Sequence, residues 1–257
     1  MSKRTIFACL GLALVGLPTM ATAQEEDAEP NLIYGTYFEC SPIDKQGVAD
    51  EIVEHILAPV YDAAVDDGTI NSWAWLAHHT GGKWRRLMVF TATGIDNLLA
   101  AQGTLGDRID ELESAADGVF GEICANHDDY IWEVASGGGV LTEGEAHFSV
   151  YMECAMDRED RADEIIDTVF APIYNGLVED GSITSWGWNK HYVGGKWRRL
   201  LAMSASDQAS VLKARGAAIE ALYGADNEAA ATEFNSICGA HQDYMWNLQQ
   251  FKGAPSE

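Results

Sequence analysis

The chain has 257 residues, of which 47% are hydrophobic, with 40 acidic side chains against 16 basic ones. This length allows one or two domains and supplies ample apolar material for a core. The formal charge of −24 excludes an electrostatic nucleic-acid binder, because such proteins neutralise phosphates with clustered lysine and arginine. It also argues against adhesion to anionic membranes, so neither nucleic acid nor a membrane is an expected partner.

The N-terminus has the pattern of a secretory signal peptide. Lys3 and Arg4 form a positive segment, an apolar stretch follows over residues 6–17, and Ala21–Ala23 supplies the small residues of a cleavage site. Cleavage near Ala23 places the mature protein in the periplasm or outside the cell. The apolar stretch is shorter than the ~20 residues that a transmembrane helix needs, and no later stretch approaches that length.

The sequence after the signal peptide is a duplication. Segments 58–87 and 171–200 are identical at 18 of 30 aligned positions, and both end in Gly-Gly-Lys-Trp-Arg-Arg-Leu. The repeat is far longer than the 20–50 residues of a solenoid unit, so each copy is domain-sized. We therefore divide the chain into a signal peptide (1–23), a tail (24–31), repeat 1 (32–135), a linker (136–146), repeat 2 (147–250) and a C-terminal tail (251–257).

Within each repeat the hydrophobic pattern alternates between strand and helix. In chain order, repeat 1 predicts a strand over 34–40, a helix from about 48 to 67, strands over 70–79 and 83–92, a helical region to 124 and a strand over 128–134. Pro59 and Pro172 predict a kink or break in the first helix of each repeat. Gly81-Gly82 predicts a two-residue hairpin turn. Thr93 and Ser206 are the expected N-caps of the second helical region.

The order strand, helix, strand, strand, helix, strand is that of a ferredoxin-like unit, whose sheet carries helices on one face only. Two such units in one chain resemble the dimeric α+β barrel superfamily, over most of the mature sequence and at the level of fold order. The resemblance implies an α+β fold in which two βαββαβ repeats stack their bare faces as an intrachain barrel. Members of the superfamily include cofactor-free monooxygenases and isomerases, stress-response proteins and tandem-repeat haem enzymes. No motif selects one of these, so their functions do not transfer.

The cysteines fit the duplication. Cleavage removes Cys9 and leaves an even number, which in an exported protein predicts disulfides. Two cysteines per repeat predict the pairs Cys40–Cys124 and Cys154–Cys238. The ferredoxin-like strand order 4-1-3-2 supports this pairing, because one cysteine ends strand 1 and its partner precedes strand 4 at the same sheet edge.

The same sheet edge gathers six polar residue types that recur in both repeats. They are Glu39, His78, Lys83, Arg85, His127 and Asp129 in repeat 1, and Glu153, His191, Lys196, Arg198, His241 and Asp243 in repeat 2. In the predicted hairpin, His78 and Arg85 are cross-strand neighbours. A neighbouring cation disfavours the imidazolium, which keeps the histidine neutral and available as a base or hydrogen-bond acceptor.

This edge predicts the capture of an anionic or enolisable group. In that interpretation the pairs His78–Arg85 and His191–Arg198 are the catalytic candidates, with histidine as base and arginine as oxyanion donor. The alternative is that these contacts are structural, with Glu39 orienting Arg85. The histidine–aspartate pair on the last strand of each repeat either contributes to a ligand site or anchors the strand beside the disulfide.

Four tryptophans form a second candidate feature. Trp73 and Trp75 lie on one strand face, and Trp186 and Trp188 repeat the pattern. They either fill the core between sheet and helices, or line the barrel interior as an apolar wall for a flat ligand. Period-two alternation does not decide which face meets the helices.

No cofactor is predicted. The adjacent His78 and His79 point to opposite strand faces and cannot grip one ion, and no other metal-binding spacing is present. A haem would need an axial histidine such as His191 or His241, yet nothing in the sequence distinguishes these from their repeat 1 counterparts.

Three functions follow from these features. The first is an exported small-molecule-binding protein that holds a polar or anionic ligand by a His/Arg edge and an aromatic wall. The second is a cofactor-independent enzyme of the monooxygenase or isomerase kind. The third is a structural or interaction module with a solidly packed barrel. The chain is expected to be a monomer or a weak homodimer.

Overall fold

A computed structural model of the chain describes residues 29–112 and 115–253. The predicted signal peptide and cleavage at Ala23 therefore lie outside the described residues. No helix in the described part is long and apolar enough to cross a membrane.

Both repeats show the predicted order of elements, with the second helical region divided in two. Repeat 1 forms β1 (Asn31–Phe38), α1 (Gln46–Ile52), α2 (Ala58–Asp66), β2 (Ser72–Thr80), β3 (Arg86–Thr93), α3 (Ile95–Asp110), α4 (Ala115–Ile123) and β4 (His127–Gly139). Repeat 2 forms β5 (Ala146–Glu153), α5 (Glu159–Ile165), α6 (Ala171–Glu179), β6 (Ser185–Val193), β7 (Arg199–Ala205), α7 (Gln208–Leu222), α8 (Glu228–Ile237) and β8 (Ala240–Gly253).

The strands form one closed barrel in the order β1-β3-β2-β8-β5-β7-β6-β4, with every neighbouring pair antiparallel. Each repeat keeps the strand order 4-1-3-2, as the ferredoxin-like order implies. The pairs β2–β8 and β4–β6 join the two repeats, so no sheet edge is left open. The chain is thus an α+β barrel, built within one polypeptide.

The two ends of the barrel differ. The hairpin end is where β1 and β2 finish and β3 and β4 begin, together with the corresponding ends of the repeat 2 strands. The open end is the opposite one, where β1, β2, β5 and β6 begin. In the antiparallel barrel, β1 and β5 point the same way along the barrel axis. The predicted polar edges of both repeats therefore lie together at the hairpin end.

The linker is shorter than predicted. Residues 136–139 belong to β4, where they pair with β6, and β8 continues past residue 250 to Gly253. The glycines of β4 are suited to this pairing, since a Cβ on Gly137 would lie 2.8 Å from the carbonyl oxygen of Trp186. The Gly-rich segment that we interpreted as a linker is therefore a strand that needs close backbone approach. Residues 140–145 form the connection.

The predicted interruption by proline takes the form of a wider helical turn. A π-helical turn, Val53–Leu57, joins α1 to α2, and Ile166–Phe170 joins α5 to α6. Pro59 and Pro172 lie just inside the second helix of each pair and have no N–H to donate. The wider turn accommodates the missing hydrogen bond while the helix continues.

The predicted N-caps are each displaced by one residue. Gly94 precedes α3 with a φ of 80°, a value that favours glycine over Thr93. Asp207 precedes α7, and its carboxylate accepts the Ser210 N–H at 2.8 Å. A carboxylate at this position is favoured over the Ser206 hydroxyl because it also interacts with the helix dipole.

Buried ion pairs hold the first helices to the sheet. Arg86 on β3 makes a bidentate contact with Asp50 on α1, at 2.6 and 2.5 Å. Arg199 on β7 makes the same contact with Asp163 on α5, at 2.8 Å for both bonds. Both arginines are buried, so each pair is a strong geometric constraint rather than a surface contact.

Both predicted disulfides are present. Cys40 is bonded to Cys124 and Cys154 to Cys238, each across a sequence separation of 84 residues. They connect the end of strand 1 with the start of strand 4 in each repeat. The disulfides therefore lie at the hairpin end of the barrel.

Candidate functional site

The hairpin brings together the histidine and arginine of each repeat. The His78 N–H donates to the Arg85 carbonyl at 3.0 Å, and the His191 N–H donates to the Arg198 carbonyl at 3.0 Å. This register was predicted, but the turn is not a two-residue one. Lys83 and Trp84 do not pair with β2, because the Trp84 side chain is buried in the end of the barrel, as is Trp197 in repeat 2.

The side chains of these pairs are in contact. Arg85 Nη1 donates to His78 Nε2 at 3.4 Å, and Arg198 Nη1 donates to His191 Nδ1 at 2.9 Å. Burial lowers the pKa of both histidines, and the neighbouring arginine lowers each pKa further. Both imidazoles are therefore neutral at pH 7. The sequence predicted this from the neighbouring arginine, and burial is a further cause.

The two predicted glutamates of this edge, Glu39 and Glu153, bind lysine and not arginine. Glu39 lies 2.7 Å from Lys83 Nζ, which also contacts Asp128 at 2.9 Å. Glu153 binds Lys196 in the same way in repeat 2. The alternative in which Glu39 orients Arg85 is therefore not formed.

The histidine–aspartate pairs stay within their own strands. His127 Nδ1 lies 3.2 Å from an Asp129 oxygen, and His241 Nδ1 lies 2.8 Å from an Asp243 oxygen. Asp243 is also bound by Arg215 of α7 at 3.1 Å. These partly exposed contacts fit the anchoring interpretation of the two pairs.

Aromatic rings fill the hairpin end of the barrel. We call them the aromatic plug: Tyr37, Trp84, Tyr130, Trp132, Tyr151, Trp197, Tyr244 and Trp246. All are buried. Trp84 reaches in from the β2–β3 hairpin and packs on Tyr37 and Tyr244, at centroid distances of 4.4 and 4.9 Å. The plug therefore separates the His/Arg pairs from the rest of the barrel interior.

The four tryptophans of the predicted apolar wall belong to the helix-facing cores. Their indole nitrogens donate to the helices at 2.8–2.9 Å, in the pairs Trp73–Asp62, Trp75–Asp50, Trp186–Asn175 and Trp188–Asp163. Trp73 and Trp186 reach the rim of the barrel interior, but the rings point to the helix side. Of the two interpretations, the structure shows the core one.

Above the plug, the open half of the barrel contains a cavity of about 480 Å³. Its floor is formed by Tyr37, Trp132 and Tyr151 of the plug, and residues Val140 and Leu141 of the linker cross its rim. The volume lies within the range of small-molecule sites, about 300–1,000 Å³. None of the four His/Arg residues lines this cavity.

The walls of the cavity differ between the repeats. Below the rim, repeat 2 contributes His147, Ser149 and Asn189. At the aligned positions, repeat 1 has Ile33, Gly35 and Leu76. The structure confirms this equivalence, because Ile33 pairs with Thr91 as His147 pairs with Ser204. Repeat 1 is thus apolar at these three positions, although its Asn31, Ser72 and Thr91 also line the cavity. The three repeat 2 residues, which we call the polar wall (His147, Ser149 and Asn189), can form hydrogen bonds.

His147 is the titratable group of the polar wall. Its Nδ1 atom lies 2.8 Å from Ser204 Oγ, and no described residue bonds to Nε2. Burial lowers the pKa of His147 to about 4, so the ring is neutral at pH 7. A neutral imidazole carries one donor and one acceptor nitrogen, and Nε2 offers the cavity whichever role Nδ1 does not take.

The polar wall was not predicted from the sequence, because its residues do not recur in the two repeats. The signal lay in positions where they differ. A histidine and an asparagine replace aliphatic residues on inward-facing strand positions, where an unpartnered polar group is costly.

No cofactor site is formed by the predicted residues. Among the described residues, no three His, Cys, Asp or Glu side chains are grouped to hold a metal ion. His191 contacts Arg198 and His241 contacts Asp243, and neither lines the cavity. These histidines do not fit the role of axial ligand to a haem inside the barrel.

Comparison with known proteins supports the fold and leaves the family open. No protein-family model and no curated protein sequence matches the chain. A proposed monooxygenase from Fusobacterium nucleatum subsp. nucleatum superposes with a TM-score of 0.59 at 9% identity, over 89% of this chain and 97% of that one. A proposed monooxygenase from Lactobacillus acidophilus gives 0.60 at 2% identity, over 89% and 99%. An anthrone oxidase-like protein gives 0.54 at 14% identity, over 90% and 95%. At these identities the likeness shows the fold alone.

Proposed function

We propose that this chain binds a small and largely apolar molecule inside its barrel. The premise is that the chain is an α+β barrel of the dimeric type, closed within one polypeptide. The observation that carries this proposal is the cavity of about 480 Å³ with one polar wall. A packed structural module would fill this space with side chains, since protein interiors are close-packed.

The chemistry of the lining describes the ligand. Apolar side chains of both repeats surround the space, so the body of the ligand is apolar. His147, Ser149 and Asn189 lie on one side, and the Asn189 amide donates only a long bond of 3.3 Å to the Leu200 carbonyl. A hydroxyl or carbonyl group on one edge of a flat molecule would complete their hydrogen bonds.

The proposed ligand site lies at the open end of the barrel and not at the His/Arg edge that the sequence predicted. The polar end of the ligand is held by His147 and not by His78 or His191, which lie beyond the aromatic plug. Export through a signal peptide remains part of the proposal, and two disulfides are compatible with an oxidising compartment.

The test compares two tricyclic probes, 1,8-dihydroxyanthraquinone and anthracene, by quenching of tryptophan fluorescence. The chain supplies its own variants, because His147→Ile and Asn189→Leu give repeat 2 the residues of repeat 1. Each lost hydrogen bond is worth about 1.4 kcal/mol, so each variant should bind the dihydroxy probe about tenfold more weakly. Anthracene should bind the wild type and the variants equally.

His241→Ile is the matched control, because it removes a histidine outside the cavity. Binding of both probes should be unchanged in this variant. The proposal is wrong if neither probe binds the wild type, or if the variants of the polar wall bind the dihydroxy probe as tightly as the wild type does.

A second candidate is cofactor-independent oxidation of such a ligand. It is favoured by the neutral His147 imidazole in the cavity wall, which can accept a proton from an enolisable C–H group. The pKa of about 4 makes this imidazole a weak base, and for that reason we place binding first.

Oxygen uptake with 1,8-dihydroxyanthrone tests this second candidate. The reaction is balanced as anthrone plus O₂ giving anthraquinone plus water, with the methylene carbon oxidised to a carbonyl and O₂ reduced. Turnover above the rate of autoxidation, lost in His147→Ile and kept in His241→Ile, is the expected result for an enzyme. Equal rates with wild type and His147→Ile would leave a binding protein only.

A further inference from the structure

The two arginines at the hairpin end have different partners. Arg198 is neutralised by Glu159, which accepts its Nε–H at 2.7 Å. The aligned residue in repeat 1 is Gln46. It accepts from Arg86 at 3.1 Å and does not contact Arg85. Repeat 2 therefore closes this site with its own carboxylate, and repeat 1 does not.

The carboxylates around Arg85 are already bound elsewhere. Glu39 and Asp128 both contact Lys83. Asp50 forms the bidentate pair with Arg86. Within the described part of the chain, no carboxylate lies within 4 Å of the Arg85 guanidinium.

The Arg85 guanidinium is partly buried and poorly satisfied. Its Nε atom is buried and has no hydrogen-bond partner. Among the described residues, its one side-chain hydrogen bond is to the neutral His78, at 3.4 Å. Partial burial of a cation without a counter-charge is costly, and this chain carries 40 acidic residues that could have supplied one.

We infer that Arg85 binds a carboxylate group of a ligand at the hairpin end of repeat 1, in the place that Glu159 occupies in repeat 2. A planar monoanion matches the guanidinium, which offers Nε–H and Nη–H in a fork. The site lies beyond the aromatic plug and is independent of the cavity. Free small carboxylates and carboxylates of larger ligands share this chemistry.

The experiment is a titration of the ¹⁵N-labelled protein with sodium acetate at pH 7, with sodium chloride replaced to keep the ionic strength constant. The arginine Nε–H resonances are followed by NMR, and Arg85→Gln assigns the Arg85 signal by removing it. The Arg85 signal should shift and saturate, while the Arg198 signal should not respond.

Two exchange variants use the difference between the repeats. Gln46→Glu supplies the missing carboxylate and should weaken acetate binding at Arg85 at least tenfold. Glu159→Gln removes the carboxylate of repeat 2 and should create a second saturable site at Arg198, while Arg199 keeps its pair with Asp163. Arg85→Gln should bind the tricyclic probes as the wild type does, so failure of this site is distinguishable from failure of the cavity.

Several outcomes would overturn the assignment. These are a shift of the Arg85 signal that grows linearly without saturation, an equal response of Arg198 in the wild type, or unchanged acetate affinity in Gln46→Glu. A saturable response to sodium phosphate with none to acetate would also overturn it, because the ligand class would then not be a carboxylate.

Discussion

Replacing His147 by isoleucine should change how stability depends on pH. The pKa of His147 is about 4 in the folded chain, against an ordinary 6.5. Between these two pKa values the unfolded chain binds a proton at His147 and the folded chain does not, so stability falls as pH drops below 6.5. Each pH unit in this window is worth about 1.4 kcal/mol. Between pH 7 and pH 5 the wild type should lose about 2 kcal/mol through this one residue.

The assay is urea unfolding at pH 7, 6 and 5, followed by tryptophan fluorescence with both disulfides intact. Other groups also titrate in this range, so the informative quantity is the difference between wild type and His147→Ile. The free energy of unfolding of the variant should fall less than that of the wild type by about 2 kcal/mol, or somewhat less where water in the cavity hydrates the imidazolium.

Asn189→Leu is the matched control, because it alters the same wall and leaves His147 in place. Its pH dependence should follow that of the wild type. Parallel losses of stability in wild type and His147→Ile between pH 7 and pH 5 would refute the burial of this histidine inside the barrel.

Three further predictions concern the scaffold and the hairpin end. Arg199→Met removes the bidentate counter-charge of the buried Asp163, which keeps its hydrogen bond from Trp188. This variant should lower the free energy of unfolding by about 3 kcal/mol, whereas a loss below about 1 kcal/mol in urea unfolding would contradict the buried pair. Replacing either disulfide by two serines should cost about 4.5 kcal/mol on the loop-entropy estimate for a separation of 84 residues, and an unchanged urea midpoint would exclude that role. Arg85→Gln should raise the pKa of His78 while leaving it below 6.5, since burial is the larger cause of the shift; an unchanged pKa in an NMR titration would show that the arginine has no influence.

Much of the fold was predictable from the agreement between the repeats. The alignment placed Cys40 and Cys124 in one copy, and the order of elements placed them at one sheet edge, where the structure has the disulfide. The register of His78 with Arg85 followed from the glycines of the turn, even though the turn itself is wider. The hydrophobic pattern and the turn residues of a hairpin set the register of its strands, so the register and the disulfide position could be predicted from the sequence.

The face of the tryptophans was not predictable. Trp73 and Trp75 alternate with small residues along β2, but both faces of that strand are buried in a closed barrel covered by helices. A strand buried on both faces gives no polar side from which to orient the other. Only the helix carboxylates that accept the indole N–H groups decide it, and these lie 11 and 25 residues away in the chain.

The candidate site was not predictable from what the repeats share. His147, Ser149 and Asn189 have no polar counterpart in repeat 1, so a search for recurring residues passes over them. Their common location follows from the strand order of repeat 2, in which β7 alone separates β5 from β6. Differences between copies at inward-facing positions are the signal to seek in such chains.

Fusion of the two halves has a consequence for how a guest molecule sits. A barrel made from two identical chains has a two-fold axis, so any asymmetric guest finds two equivalent poses related by a half-turn. In this chain, Ile33 lines one side of the cavity and His147 the other, so the half-turn would place the polar edge of a bound molecule against aliphatic carbon. A single covalent chain can therefore hold its guest in one orientation, which a symmetric pair of subunits cannot do.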